Sequence, residues 1–223
     1  MRRILSLYDR SGHMLEPWRD AGWACTVVDI EETRSAGMHA IRADLATWKP
    51  SGRYDFVVGF PPCTDLAVSG ARWFAEKGPE RRQSALMLFD RVFEIARVVQ
   101  ARGVIAENPV SVLATERRPP DYTFHPWHYA GYPGGEGDTY PKLTCLWAEG
   151  RFRMPPLRAK SPTDNRIHMC PPGPQRAYLR SLTPRGFARA VFEANEPWLV
   201  GRTEPPPLQM SLFQNHKTPP ERG

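Results

Sequence analysis

Short apolar runs, each closed by a polar or turn-forming residue, recur through the first half of the chain. Residues 4–8, 24–30, 39–43 and 54–58 are rich in Ile, Val, Leu and aromatic residues and end at Asp or Gly. That pattern predicts four short strands. Between 79 and 102 the period changes: Leu86, Phe89, Val92, Phe93, Ala96 and Val99 recur at spacings of three and four, which predicts a helix lying on the sheet. Gly103 ends that helix and residues 104–106 begin another strand. Residues 143–147 read as a strand. Thr183 and Pro184 supply an N-cap and a first-turn proline for a helix with Phe187, Ala188, Val191 and Phe192 on its apolar side. After Asn195 the chain is Pro-rich and lacks core periodicity, so residues 196–223 are expected to form a mobile tail. Strand–turn–helix units at the start predict a Rossmann-like α/β domain with a mostly parallel sheet.

The candidate chemistry gathers where the predicted strands end. The run 54–58 stops at Gly59, Phe60, Pro61, Pro62 and Cys63, a rigid turn that leaves a cysteine just past a strand. In open α/β sheets, ligands and catalytic groups collect at the carboxyl ends of the strands. A cysteine there serves as a nucleophile where its surroundings favour the thiolate, and is otherwise a buried structural thiol. The strand at 104–106 runs into Glu107, Asn108 and Pro109. A parallel sheet would put Glu107 on the same edge as Cys63. Asp29 closes the second strand, where an acid suits a ribose hydroxyl, and Asp44 closes the third. The first strand leads through Tyr8, Asp9, Arg10 and Ser11 to Gly12, a single-glycine ligand turn.

The 223 residues suit one α/β domain, and a 41% hydrophobic content is enough for its core. A net charge of +6 favours a polyanionic partner, because lysine and arginine displace counterions condensed on phosphates. Between 111 and 175 the pattern loses periodicity while aromatic and basic residues interleave. Such a stretch suits a nucleic-acid groove or a loop-rich region stapled by its own aromatics. Cys25, Cys63, Cys145 and Cys170 form no CxxC pair, so reduced thiols are expected and the zinc signature is weak. No apolar run approaches the roughly 20 residues that span a bilayer. The N-terminus enters a strand with no leader pattern, so a cytoplasmic protein is expected.

Taken in order from about Ile4 to Asn195, these features resemble the DNA cytosine-5 methyltransferases, in the compact form seen in phages and prophages. Pro61, Pro62 and Cys63 form the most specific part, and Glu107 with Asn108 the next. Tyr140 to Trp147 and Leu182 to Ala190 resemble the compact subfamily. The resemblance implies a class I S-adenosylmethionine-dependent methyltransferase fold with a small irregular target-recognition insertion. It divides the chain into a cofactor-binding and catalytic core (1–110), a target-recognition region (111–175), a returning helix (176–195) and the tail. It implies S-adenosylmethionine bound by Tyr8, Asp9, Ser11, Gly12, Asp29, Asp44 and Pro61. Double-stranded DNA would be contacted by Ser69, Arg72, Asn108, Lys142 and Thr144. Cys63 would add to cytosine C6 and Glu107 would serve N3 and N4, with no metal required. Arg10 departs from the family's glycine. The family's Gln–x–Arg–x–Arg motif has no match, and Lys142, Arg151 and Arg153 are alternatives for its arginine.

Two other classes stay open: a relative acting on RNA or using a modified donor, and a degenerate prophage DNA-binding protein. In the tail, Gln209, Met210, Ser211, Leu212 and Phe213 resemble the Gln–Leu–Ser–Leu–Phe peptide that binds the bacterial sliding clamp. The resemblance implies such a partner, presented on a flexible segment.

Overall fold

The computed structural model describes residues 1–33, 35–67, 79–173 and 175–209. Strands β1 (Arg3–Leu7), β2 (Ala24–Asp29), β3 (His39–Arg42), β4 (Phe56–Gly59), β5 (Gly103–Pro109), β6 (Tyr122–Phe124), β7 (Thr144–Arg151) and β8 (Leu208–Gln209) form one sheet. Their order is β3-β2-β1-β4-β5-β7-β6, with β8 also on β7. The first five strands run parallel and β7 is antiparallel to β5, β6 and β8. The order reverses between β1 and β4, which places a topological switch point beside the candidate nucleophile. The arrangement agrees with the expected Rossmann-like α/β fold with a mostly parallel sheet.

Side chains alternate across the sheet, so the central strands serve two cores at once. Ile4, Val27, Phe56 and Val58 face one layer, where they meet Trp18 of helix α1 (Glu16–Asp20) and Phe187, Val191 and Trp198 further along the chain. Leu5, Leu7, Val28 and Val57 face the other, against Phe89, Val92 and Phe93 of helix α2 (Pro79–Val98). The predicted helical stripe of α2 is thus its sheet-facing side. Among the described residues no helix is long and apolar enough to cross a membrane.

Three expectations change. Residues 111–175 are not a separate irregular layer, because β6 and β7 complete the central sheet. The aromatics of that stretch mostly staple the fold: Phe124, Tyr129, Tyr132, Tyr140 and Trp147 are all buried, and Phe124 stacks on Phe187 at 4.0 Å. After β5 come the short helices α3 (Leu113–Glu116), α4 (Arg166–Met169) and α5 (Arg176–Ser181), and then α6 (Arg185–Leu199). The returning helix therefore starts at Arg185, not 176. Pro184 is its N-cap in an extended conformation, and Thr183 makes no capping bond. The helix also runs past Asn195, because Trp198 and Leu199 still have core to fill.

The expected tail is seated as far as Gln209. Leu208 and Gln209 pair with Arg151 and Gly150, and the Pro206 carbonyl accepts from Arg151. Backbone pairing at a sheet edge leaves little trace in side-chain periodicity, which is why this segment reads as loop.

Candidate active site

Strand register fixes the site. Leu7 pairs with Gly59, and Gly59 with Ala106. The turn that begins at Phe60 and the side chain of Glu107 therefore leave the sheet side by side. The Phe60 N–H continues the pairing by donating to the Leu7 carbonyl at 3.0 Å, an ordinary backbone distance. Gly59 is required where it stands: a Cβ there would lie 2.6 Å from both γ-methyls of Val92. Pro61 is buried, and its carbonyl accepts a 2.9 Å hydrogen bond from Asn108 Nδ2. Asn108 is itself 1% exposed. Its amide nitrogen anchors the cysteine turn from below, while its buried Oδ1 has no hydrogen-bond partner among the described residues. The Cys63 carbonyl then accepts from the Leu66 and Ala67 N–H groups, starting a helical turn.

Cys63 is half-buried, and four groups set its thiol. Burial raises its pKa above the ordinary thiol value, and the nearby Glu107 carboxylate raises it further. Lys142, the Cys63 backbone N–H and Arg180 act in the opposite sense. The resting group is therefore a thiol at neutral pH.

Beside Glu107 lies a narrow recess that encloses about 10 Å³, room for about one water molecule. Phe60, Phe124, Pro184 and Phe187 give it apolar walls, and Glu107, Lys142 and Thr183 bring polar groups to it. Glu107 Oε1 and Thr183 Oγ1 are both buried without a hydrogen-bond partner. Lys142 Nζ lies 3.9 Å from Glu107 Oε1, an ion pair too long for a hydrogen bond. Unpaired buried polar atoms are costly and rare in native proteins. Thr144 lines the slot too, but its hydroxyl donates to the Lys142 carbonyl and so shapes the bend.

The start of α6 forms one wall of this slot and is held by a buried acid. Asp138 Oδ2 accepts the Gly186 N–H at 2.8 Å. Burial pushes the Asp138 carboxyl up to about 6, against that bond and the charges of Arg166 and Arg185. A carboxyl raised in the folded state carries a cost that is complete above about pH 6 and vanishes below its unfolded value of 3.8. Asp138→Asn keeps an acceptor for Gly186 and removes the charge. It is expected to stabilise the protein by roughly 2 kcal/mol at pH 7.5 and by nothing at pH 3.5. Urea unfolding at the two pH values checks this, and an equal effect at both would refute it.

The expected cofactor residues divide into two kinds. Asp9 is 3% exposed and both its oxygens are used: Oδ1 accepts from Ser11 N, Ser11 Oγ and Gly12 N, and Oδ2 from Ser6 Oγ. It shapes the turn, with Oδ1 accepting three of these bonds and Oδ2 one. Tyr8 sits at φ 57°, an uncommon conformation for a non-glycine residue, and its hydroxyl donates to the Leu88 carbonyl. Gly12, at φ 69°, closes the turn where a Cβ would come 2.8 Å from Ser35 Cβ. Asp29 remains available: it is half-buried, burial raises its carboxyl pKa, and Oδ1 accepts the Glu31 N–H. Asp44 is exposed and caps its own turn through Ala46 N.

Several residues enter only with the structure. Ile30, 61% exposed, presents apolar surface directly after Asp29. Arg10 pairs with Glu31 at 2.6 Å and lies 5.0 Å over the Tyr178 ring, which accounts for an arginine in place of a glycine. Of the three cations considered for the unmatched arginine motif, Lys142 alone lines the recess. Arg151 donates to Pro206 and Arg153 to Glu204, on the β8 side. Ser69 and Arg72 lie outside the described residues, as do Leu212 and Phe213 of the clamp-like peptide. Its Gln209 amide donates to Tyr122 Oη at 2.6 Å and to the Phe152 carbonyl.

No protein-family model matches the chain, and no curated protein sequence matches it. Solved structures do show likeness in fold. One is an E. coli prophage-encoded protein provisionally described as a DNA modification methyltransferase, 14% identical over 66% of this chain and 46% of that one, with a TM-score of 0.44. Another is the glycopeptide N-methyltransferase MtfA, 15% identical over 66% of this chain and 65% of that one, at 0.32. A third is DhpI in complex with SAH, 15% identical over 49% of this chain and 50% of that one, at 0.28. The chain thus spans under half the length of the first and less than two thirds of each of the others.

Proposed function

We propose that this protein is an S-adenosylmethionine-dependent DNA methyltransferase acting on C5 of cytosine through a covalent bond between Cys63 and C6 of a flipped-out base. The observation that carries the reading is a strand-end thiol within electrostatic reach of a carboxylate whose buried Oε1 has no hydrogen-bond partner, beside an apolar recess. The net charge of +6 suits a polyanionic substrate.

The chemistry needs this set of groups. C5 of cytosine is a weak nucleophile. Addition of the Cys63 thiolate to C6 forms an S–C6 bond and displaces the C5–C6 π pair toward C5 and the N3–C2–O2 edge. A proton held between Glu107 and N3 meets the charge that develops there, and the Lys142 ammonium offsets charge at O2. C5 then takes up the methyl group. Water then takes the C5 proton, the C5–H pair re-forms the C5–C6 double bond, and the S–C6 pair leaves with sulfur, which restores the aromatic ring and frees the thiolate. A stacked base is out of reach of such a recess, so it must leave the duplex.

S-adenosylmethionine supplies an electrophilic methyl group when bound. The residues fit that molecule: the Asp29 carboxylate suits a ribose diol, Ile30 an adenine face and Asp44 an adenine amino group. The Tyr8–Gly12 turn gives them a rigid floor.

Duplex DNA of mixed sequence carrying 5-fluorocytosine tests the proposal. Fluorine at C5 cannot leave as a proton, so incubation with S-adenosylmethionine is expected to leave protein–DNA adduct on a denaturing gel, and none without the donor. Absence of adduct from protein that binds the donor calorimetrically would overturn the reading. Adduct with fluorocytosine RNA alone would move the substrate to RNA.

A further inference from the structure

Lys142 stands in the loop ahead of β7, yet its backbone is tied on both sides. Its N–H donates to His125 Nδ1 at 3.1 Å, and its carbonyl accepts from Thr144 Oγ1 at 3.1 Å. The ammonium ends 3.9 Å from Glu107 Oε1, on a side chain that is 18% exposed. His125 follows β6, whose Phe124 stacks on Phe187, and it opens a single helical turn, Pro126–Tyr129. That turn is well anchored. Tyr129 is buried, the His128 N–H donates to the His125 carbonyl, and the carbonyls of Trp127 and His128 accept from Lys160 and Arg158. The His125 ring is nearly parallel to that of Trp127, with centroids 6.1 Å apart, and the His125 N–H donates to His128 Nδ1 at 3.3 Å. An imidazole held in this way delivers its acceptor to one place.

The bond to Lys142 sets a condition on the ring. Nδ1 accepts a hydrogen bond only when it carries no proton, which requires the neutral imidazole with its proton on Nε2. Burial lowers the pKa of both His125 and His128 below the ordinary imidazole value, so both rings are neutral at neutral pH. The titratable groups around His125 are His128 from the same turn, Lys142 from the residues ahead of β7, and Lys160, bonded through its backbone to Trp127. All are bases, and none favours a protonated ring. We propose that His125 is a positioning residue for the reaction: its neutral Nδ1 holds Lys142 beside Glu107, and a proton on that nitrogen releases it. This rests on reading Lys142 as the cation that serves the target base. The proton comes from solvent and returns to it. Lys142 also favours the Cys63 thiolate, so the thiol reports where the ammonium stands.

Two measurements on the full-length protein test this with neither DNA nor donor. The first follows the Lys142 amide resonance of isotope-labelled protein from about pH 8 to about pH 5. It should move with the titration of the His125 ring and stand still in His125→Asn. Asparagine puts Oδ1 where the ring carries Nδ1, and it does not titrate. The second is alkylation by iodoacetamide from about pH 6.5 to about pH 10, with the Cys63 peptide alone followed by mass spectrometry. His125→Ala is expected to raise the midpoint of the rate profile by about half a pH unit, slowing alkylation about 3-fold at neutral pH. His125→Asn should restore most of the rate. Lys142→Met should raise the midpoint at least as far, and adding His125→Ala to it should move the midpoint no further, whereas a merely structural role would add its own effect. Coincident wild-type and His125→Ala profiles would overturn the proposal. So would a further shift in the double variant, no rescue by asparagine, or a Lys142 amide indifferent to the His125 titration. Failure of the methyltransferase reading would appear in the fluorocytosine gel and in neither of these measurements.

Discussion

Cys63→Ala is expected to reduce transfer of labelled methyl groups to duplex DNA by more than about 10³-fold, leaving fold and donor affinity intact. The side chain removed is half-buried, and the bonds that build its turn do not involve sulfur. Leu66 and Ala67 donate to the Cys63 carbonyl, and Asn108 holds Pro61. Alanine keeps all of these, so the unfolding midpoint should move little. What disappears is the one group able to make C5 nucleophilic. Residual transfer near the wild-type rate would exclude covalent catalysis. It would point to methylation of an exocyclic amino group, which attacks a sulfonium methyl without prior addition to the ring. Mass spectrometry of the digested product separates the two positions.

Glu107→Gln is expected to act in opposite directions on two measurements. Methyl transfer should fall by about 10²–10³-fold, because an amide can hydrogen-bond to N3 but cannot deliver a proton as the ring takes up charge. Alkylation of Cys63 in the same variant should become faster at neutral pH, because the Glu107 carboxylate is one of the two groups that raise the thiol's pKa. Loss of that charge also leaves Lys142 unopposed beside the site. A merely structural role for Glu107 would lower both rates together, or neither. Divergence of the two identifies a carboxylate that restrains the nucleophile at rest and serves the base during reaction.

The same opposition explains why the site needs positive charge. Burial protects an adduct from water but also raises the cost of the thiolate. Lys142, at the recess beside Glu107, works against that cost.

Much of the fold was determined locally. Apolar runs 4–8, 24–30, 39–43 and 54–58 fix strands because their length and β-branched character fit a two-faced buried sheet. The Gly–Phe–Pro–Pro–Cys turn fixes where a thiol leaves that sheet, and parallel register then brings Glu107 beside it. Side-chain alternation and turn chemistry are properties of neighbouring residues, so one sequence displays them.

The tertiary structure decided which partner each polar group took. Asp9 and Asn108 look like ligand-binding residues in the sequence, yet their bonds go to Ser6, Ser11 and Gly12, and to Pro61. Thr183 has the sequence of a cap and stands unpartnered in the recess. Lys142 is chosen over Arg151 and Arg153 only because β7 pairs with β5 and brings its leading residues to Glu107. Local periodicity sets what an element is and which face it buries. The contacts of its polar groups depend on which distant element arrives beside it, and that is settled by sheet order and packing.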